Sequence, residues 1–152
     1  MTQAVTLSQF ILQQEQIHPE ASGEFTSVLS DLALAAKMIN REVTRAGLVD
    51  ILGYTGAENV HGEKVQKLDR FAHDVLRSVL GSTGQLAVLA SEEDEDIIPV
   101  DVSKPMGRYV VNFDPLDGSS NINAGVNIGT IFSILPRISK KGIGTVEDCL
   151  QA

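Results

Sequence analysis

A layered α/β fold, with N-terminal helices packed on a mixed, mainly antiparallel sheet, is what this 152-residue sequence predicts. Three observations carry the prediction. Apolar residues recur at helical spacing through the first half of the chain. Apolar runs of strand length follow at Leu86–Ala90, Tyr109–Val111 and Asn127–Leu135, giving the order helix, helix, strand, strand, strand. A 43% hydrophobic content at this length is enough for one buried core.

Taken in order, Leu7, Phe10, Ile11 and Gln14 suggest a first short helix. Phe25, Val28, Leu29, Leu32, Ala35, Ala36, Ile39, Val43 and Ala46 follow the i, i+3, i+4 rhythm of a long amphipathic helix, with Ser22 as its cap and Gly47 at its end. Leu52 to Asn59 is Gly-rich and without period, and reads as a mobile loop. Val65, Leu68, Ala72, Val75, Leu76 and Val79 make the apolar face of a third helix ended by Gly81. Asp69 lies at the edge of that face, where a carboxylate is costly unless paired, so an ion pair with a neighbouring Arg and a role in a site are both open. Glu63, just before the helix, is adequately explained by the helix macrodipole, and Asp74 belongs on the solvated face. Pro136–Gly142 reads as a basic, flexible connection, and Thr145–Ala152 as the start of a helix.

Charge and composition exclude several functions. The net charge of −8 argues against nucleic acid as a partner. No apolar run reaches membrane-spanning length, and the N-terminus lacks the pattern of a signal peptide. The single cysteine, Cys149, cannot form an internal disulfide, which suits a reducing compartment such as the cytoplasm.

Two strand ends carry the chemistry. The run Tyr109-Val110-Val111 leads into Phe113-Asp114-Pro115-Leu116-Asp117-Gly118-Ser119-Ser120-Asn121, with two carboxylates on a Pro-initiated turn followed by a donor-rich Gly-Ser-Ser segment. Leu86–Ala90 leads into Ser91-Glu92-Glu93-Asp94-Glu95-Asp96. An Asp-Pro turn or an acidic loop is by itself usually a solvated feature. Together they place carboxylates where mutual repulsion calls for a hard cation, and two or more Mg²⁺ ions would supply it. Backbone N–H groups and hydroxyls of Gly118, Ser119 and Ser120 suit a phosphate beside that centre.

Ser91–Asp94 and Phe113–Asn121 resemble the two metal motifs of fructose-1,6-bisphosphatase, a member of the magnesium-dependent, lithium-sensitive sugar and inositol phosphatases. Lys67-Leu68-Asp69, Gly107–Val111 and Gly129–Phe132 fit the same family, and the similarity runs from about Leu7 to the end of the chain. The resemblance implies Mg²⁺-dependent hydrolysis of the 1-phosphate of fructose 1,6-bisphosphate, in gluconeogenesis or carbon fixation. It implies Glu92, Asp114, Asp117 and the carbonyl of Leu116 as metal ligands. Glu93 and Asp69 would orient or deprotonate the attacking water, with Glu63 a third catalytic acid. Asp117, Gly118, Ser119 and Ser120 would hold the reacting phosphate, and the Leu52–Asn59 loop would close over the metals. Asn123 stands where relatives usually carry Asp.

The same resemblance assigns an AMP site to Ser22, Gly23, Glu24, Thr26, Arg108 and Tyr109. There Ser22 replaces the usual Thr and Arg108 the usual Lys. A free helix N-terminus at Ser22–Thr26 suits a phosphate, although a plain Ser-capped helix and a strand-end Arg would look alike. The family's chains continue well past position 152. Residues 1–152 are therefore expected to be the N-terminal metal-binding domain without the C-terminal sugar-binding domain, of little activity alone, in a homotetramer. Rival readings are a sedoheptulose or inositol phosphatase, or a non-catalytic AMP-binding or interaction subunit.

Overall fold

The computed structural model describes residues 4–45, 54–58, 64–100, 107–120, 126–140 and 142–151, with backbone only at 54–58 and 64–66. Its elements are α1 (Leu7–Ile17), α2 (Glu24–Val43), β1 (Tyr54–Glu58), β2 (Lys64–Gln66), α3 (Lys67–Gly81), β3 (Leu86–Ser91), β4 (Ile98–Pro99), β5 (Tyr109–Asp117), β6 (Gly129–Pro136) and α4 (Val146–Cys149). Four strands form a mixed sheet in the order β4-β3-β5-β6. The β3–β5 pair is parallel, and the two outer pairs are antiparallel. The predicted architecture of helices on a mixed, mainly antiparallel sheet is the observed one.

Alternation along the strands builds two apolar layers. Val111, Phe113 and Leu116 of β5 face α2 and α3, where Val28, Leu32, Ala35, Ile39, Leu68, Ala72, Leu76 and Leu80 complete the main core. Val110 points the other way and meets Val88 and Cys149 under α4. Each fully buried Leu contributes roughly 2 kcal/mol of transfer free energy, so α3, with Leu68, Leu76 and Leu80 each 1% exposed, is the element that fastens the helices to the sheet. Gly107 makes close packing at the start of β5 feasible: a Cβ there would lie 2.2 Å from the backbone of Gln85.

Local details differ from the sequence reading. The segment read as a mobile loop contains β1, which pairs antiparallel with β2 in a separate two-stranded ribbon. Val65 therefore belongs to β2 and not to the helix that follows. The N-cap of α2 is Gly23 rather than Ser22; its φ of 77° is open to glycine without strain, and no side chain caps the helix. Ala46 and Gly47, expected at the end of α2, lie outside the described residues.

The basic connection after β6 is tied down instead of loose. Arg137 donates from Nε to Ser139 Oγ (2.7 Å) and from a terminal nitrogen to the Gly142 carbonyl (2.6 Å). Buried Asp148 accepts from the amides of Ile138 (2.9 Å), Ser139 (2.8 Å) and Thr145 (2.8 Å), and from the Ser139 hydroxyl (2.7 Å). Among the described residues no helix is long and apolar enough to cross a membrane.

Candidate functional site

Parallel pairing of β3 and β5 brings the two acidic strand ends together. Ser91 lies opposite Phe113, and the Glu92 amide donates to the Phe113 carbonyl at 3.0 Å. Glu92 and Asp114 therefore leave adjoining strands at the same level. Asp114 Oδ1 accepts from the Leu116 amide (3.0 Å), and the Thr130 hydroxyl donates to the Pro115 carbonyl (3.0 Å), which holds the Asp-Pro turn against β6. The register slips within this turn: Asp114 faces Ile131, yet Asp117 faces Gly129, so β5 carries a bulge there. Gly118 follows with φ 79°, where any side chain would be strained. Ser119 is half-buried and Ser120 exposed on a short helical turn.

The electrostatics mark the centre of the site. Burial, then a hydrogen bond and the charge of Glu92, push the Asp114 carboxyl up to about 6. Burial first and the neighbouring Glu92 second thus disfavour the charged form of Asp114, and a divalent cation would offset both. An open depression of ≈ 460 Å³ over the pair is lined by Ser91, Glu92, Asn112, Asp114 and Ser133, among others. Glu92 is exposed, Glu93 and Asp94 are half-buried, and Asp117 is exposed beyond the bulge. Among the described residues no group of three or more His, Cys, Asp and Glu side chains is gathered closely enough to hold a metal ion on its own. The carboxylate pair fits a cation; a full ligand shell would need the Leu116 carbonyl, Asp117 or groups elsewhere.

Asp69 is buried, at 3% exposure, in the first turn of α3. Asp74 is exposed and pairs with Arg70 at 3.3 Å, as its place on the solvated face predicts. Glu63, Asn121 and Asn123 lie outside the described residues. The sequence reading missed His73, which is fully buried in α3. Its Nδ1 lies 2.9 Å from Ser91 Oγ and its Nε2 3.4 Å from Asp94 Oδ2. Burial lowers its basicity, and the charge of Asp94 opposes that only in part. A signal was present, because His73 stands one turn after Asp69 on the ridge that continues through Leu76 and Leu80.

A second cavity, of ≈ 570 Å³, lies between α1, the start of α2 and the start of β5. Ser22, Gly23, Thr26, Arg108 and Tyr109 all line it. Glu24 reaches Arg108 Nε at 3.3 Å, and the rings of Phe25 and Tyr109 lie 5.6 Å apart. The Thr26 hydroxyl is 3.4 Å from Glu15 Oε1 of α1.

These features define an α/β domain with an acidic centre at adjoining strand ends, next to a glycine-serine turn. The family model described as fructose-1-6-bisphosphatase, N-terminal domain, matches residues 5–152. The class 1 fructose-1,6-bisphosphatase of Chloroherpeton thalassium is 54% identical over 99% of this chain and 43% of its own length. That of Chlorobium luteolum is 51% identical over 99% of this chain and 45% of its own. The crystal structure of the Leishmania major fructose-1,6-bisphosphatase in holo form superposes with a TM-score of 0.83 at 34% identity, over 97% of this chain and 43% of that one. The chain belongs to the fructose-1,6-bisphosphatase family and spans a little under half the length of these relatives.

Proposed function

We propose that residues 1–152 form the N-terminal, metal-binding domain of a fructose-1,6-bisphosphatase, acting together with a sugar-binding domain. The complete protein would hydrolyse the 1-phosphate of fructose 1,6-bisphosphate to fructose 6-phosphate and phosphate, in gluconeogenesis or carbon fixation. The observation that carries this reading is the placement of Glu92 beside Asp114 at the ends of the parallel pair β3 and β5. Glu92, Asp114, Asp117 and the Leu116 carbonyl are the groups that would hold two or more Mg²⁺ ions. Bound Mg²⁺ supplies charge neutralisation at the phosphate, a more acidic water and stabilisation of the leaving oxygen. Asp117, Gly118, Ser119 and Ser120 hold the reacting phosphate through backbone N–H donors, with the two serine hydroxyls as further donors. Glu93 and Asp69, with Glu63, orient the attacking water and take its proton. The water oxygen bonds to phosphorus as its proton passes to a carboxylate, the bond from phosphorus to the sugar oxygen breaks, and that oxygen takes up a proton to leave as the free hydroxyl. A cytoplasmic homotetramer is part of the same reading, supported by the family resemblance and the single buried cysteine.

The test is phosphate release by the complete protein with and without metal. Chelation should abolish it and Mg²⁺ restore it. Fructose 1,6-bisphosphate should be preferred over sedoheptulose 1,7-bisphosphate and inositol monophosphate. Because a proton competes with the cation at Asp114, whose carboxyl titrates at about 6, the Mg²⁺ needed for half-maximal rate should rise as pH falls from 8 to 5. Phosphate release indifferent to chelation removes the metal reading, and no release from any sugar phosphate moves the protein to the non-catalytic class.

A second reading of the other cavity has its own support. Five of the six residues that the resemblance assigns to AMP line one cavity, and Glu24 pairs with Arg108 beside it. The side-chain-free N-cap of α2 leaves its first amides for a phosphate. In the complete protein, Thr26→Ala with Arg108→Ala should raise the AMP concentration for half-inhibition at least about tenfold, the worth of one charge-assisted contact. An unchanged response would reduce the cavity to packing.

A further inference from the structure

We propose that His73 is a positioning residue that sets the turn carrying Glu92; the proposal rests on the reading of Glu92 and Asp114 as a metal centre. The turn runs from Ser91 to Asp94, closed by the Asp94 amide donating to the Ser91 carbonyl at 3.3 Å. His73 touches both ends of it from inside the core, with Nδ1 at 2.9 Å from Ser91 Oγ and Nε2 at 3.4 Å from Asp94 Oδ2. The second contact is electrostatic and not a well-aligned hydrogen bond.

Proton arithmetic fixes the roles. Asp94 Oδ2, 3.4 Å from Nε2, can only accept, so the ring nitrogen facing it carries the proton and Nδ1 accepts from the Ser91 hydroxyl, whose oxygen also receives the Glu93 amide at 3.3 Å. The imidazole proton then sits on Nε2, facing the Asp94 carboxylate; this tautomer is assigned from the network. The ring also lies 6.1 Å from that of Phe113, whose carbonyl receives the Glu92 amide. Residues on both sides of Glu92, and the strand residue that Glu92 bonds to, thus share one buried side chain. Glu92 is itself exposed, on a turn whose buried Ser91 and half-buried Asp94 are the residues that face His73. A buried ring behind such a turn restrains the carboxylate in the direction of Asp114, as partners behind a ligand do in metal sites generally.

The experiment measures Mn²⁺ binding to the complete protein by calorimetry, without substrate or turnover. His73→Leu should weaken binding about tenfold, the lower range for loss of a ligand's supporting contact. His73→Asn, whose Oδ1 can take the place of Nδ1 toward Ser91, should stay within about threefold of the parent by the same reasoning. Should the Leu variant not fold, Ser91→Ala deletes the same bond with a smaller change and should give a similar loss. Folded His73→Leu or Ser91→Ala protein that binds Mn²⁺ like the parent, while Glu92→Gln has lost binding, overturns the positioning role alone. Mn²⁺ binding unchanged in Glu92→Gln overturns the metal-centre reading and the proposal with it.

Discussion

Asp114→Asn in the complete protein should slow phosphate release from fructose 1,6-bisphosphate by roughly 10³-fold, equivalent to about 4 kcal/mol of transition-state stabilisation. The substitution removes a charge and little else. Its amide oxygen can still accept from the Leu116 N–H, so the Asp-Pro turn keeps its hydrogen bond. What disappears is half of the carboxylate pair. A second effect separates this from simple damage. In the wild-type protein the Asp114 carboxyl is held up at about 6 by burial and by Glu92. An acid whose folded pKa is raised makes the fold less stable as pH climbs from the unfolded value through about 6, above which the loss is complete and constant. The Asn variant escapes that strain, so without metal at pH 7.5 it should melt no lower than the wild type. Activity lost together with unchanged or higher metal-free stability is the signature of a functional carboxylate. Undiminished turnover in excess Mg²⁺ would remove Asp114 from the site. Asp74→Asn, on the solvated face of α3, should change neither quantity.

The contrast between Asp114 and His73 shows what was legible in the sequence. Asp114, Asp117 and Gly118 stand in one short string, and turn chemistry is local, so the motif could be read without the fold. That Glu92 would arrive beside Asp114 could be expected from two strands both ending in acids, but the pairing is long-range. It depends on β3 and β5 running parallel, which no local pattern specifies. His73 was passed over for a related reason: its place one turn after Asp69 was visible, but its partners were not. A His on an apolar helix face is indistinguishable from core packing until Ser91 and Asp94 are seen around it. The helices α2 and α3 were legible through their 3.6-residue period. The β1–β2 ribbon was not, because Tyr54–Glu58 and Lys64–Gln66 are short and lack an alternating apolar face. At the start of α2, Ser22 has the better side chain for a cap, but Gly23 has the conformational freedom the turn uses.

Asp148→Ala should release the segment that joins β6 to α4, and the effect is expected to be large because one carboxylate does several jobs. It accepts three backbone amides and the Ser139 hydroxyl while fully buried. Truncation leaves those donors unsatisfied, at a local cost of about 3 kcal/mol. At about 1.4 kcal/mol per decade, hydrogen exchange at the Ile138 and Ser139 amides should accelerate roughly a hundredfold, whether or not global unfolding changes. Asp148→Asn should fall between the two, since it keeps one acceptor oxygen but turns an N–H₂ toward other donors. The pH dependence follows with its sign. Burial alone would raise the carboxyl, but the bonds from Thr145, Ser139 and Ile138 outweigh it and hold it well below the ordinary carboxylate value. A depressed folded pKa contributes stability that is fully present above the unfolded value of about 3.9, and lost as pH falls through the folded one. Relative protection of these amides in the wild type, after correction for intrinsic exchange, should therefore be the same at pH 5 and pH 7, and decline only below about 4. Exchange unchanged in Asp148→Ala would mean that Arg137, with its bonds to Ser139 and Gly142, holds the segment by itself.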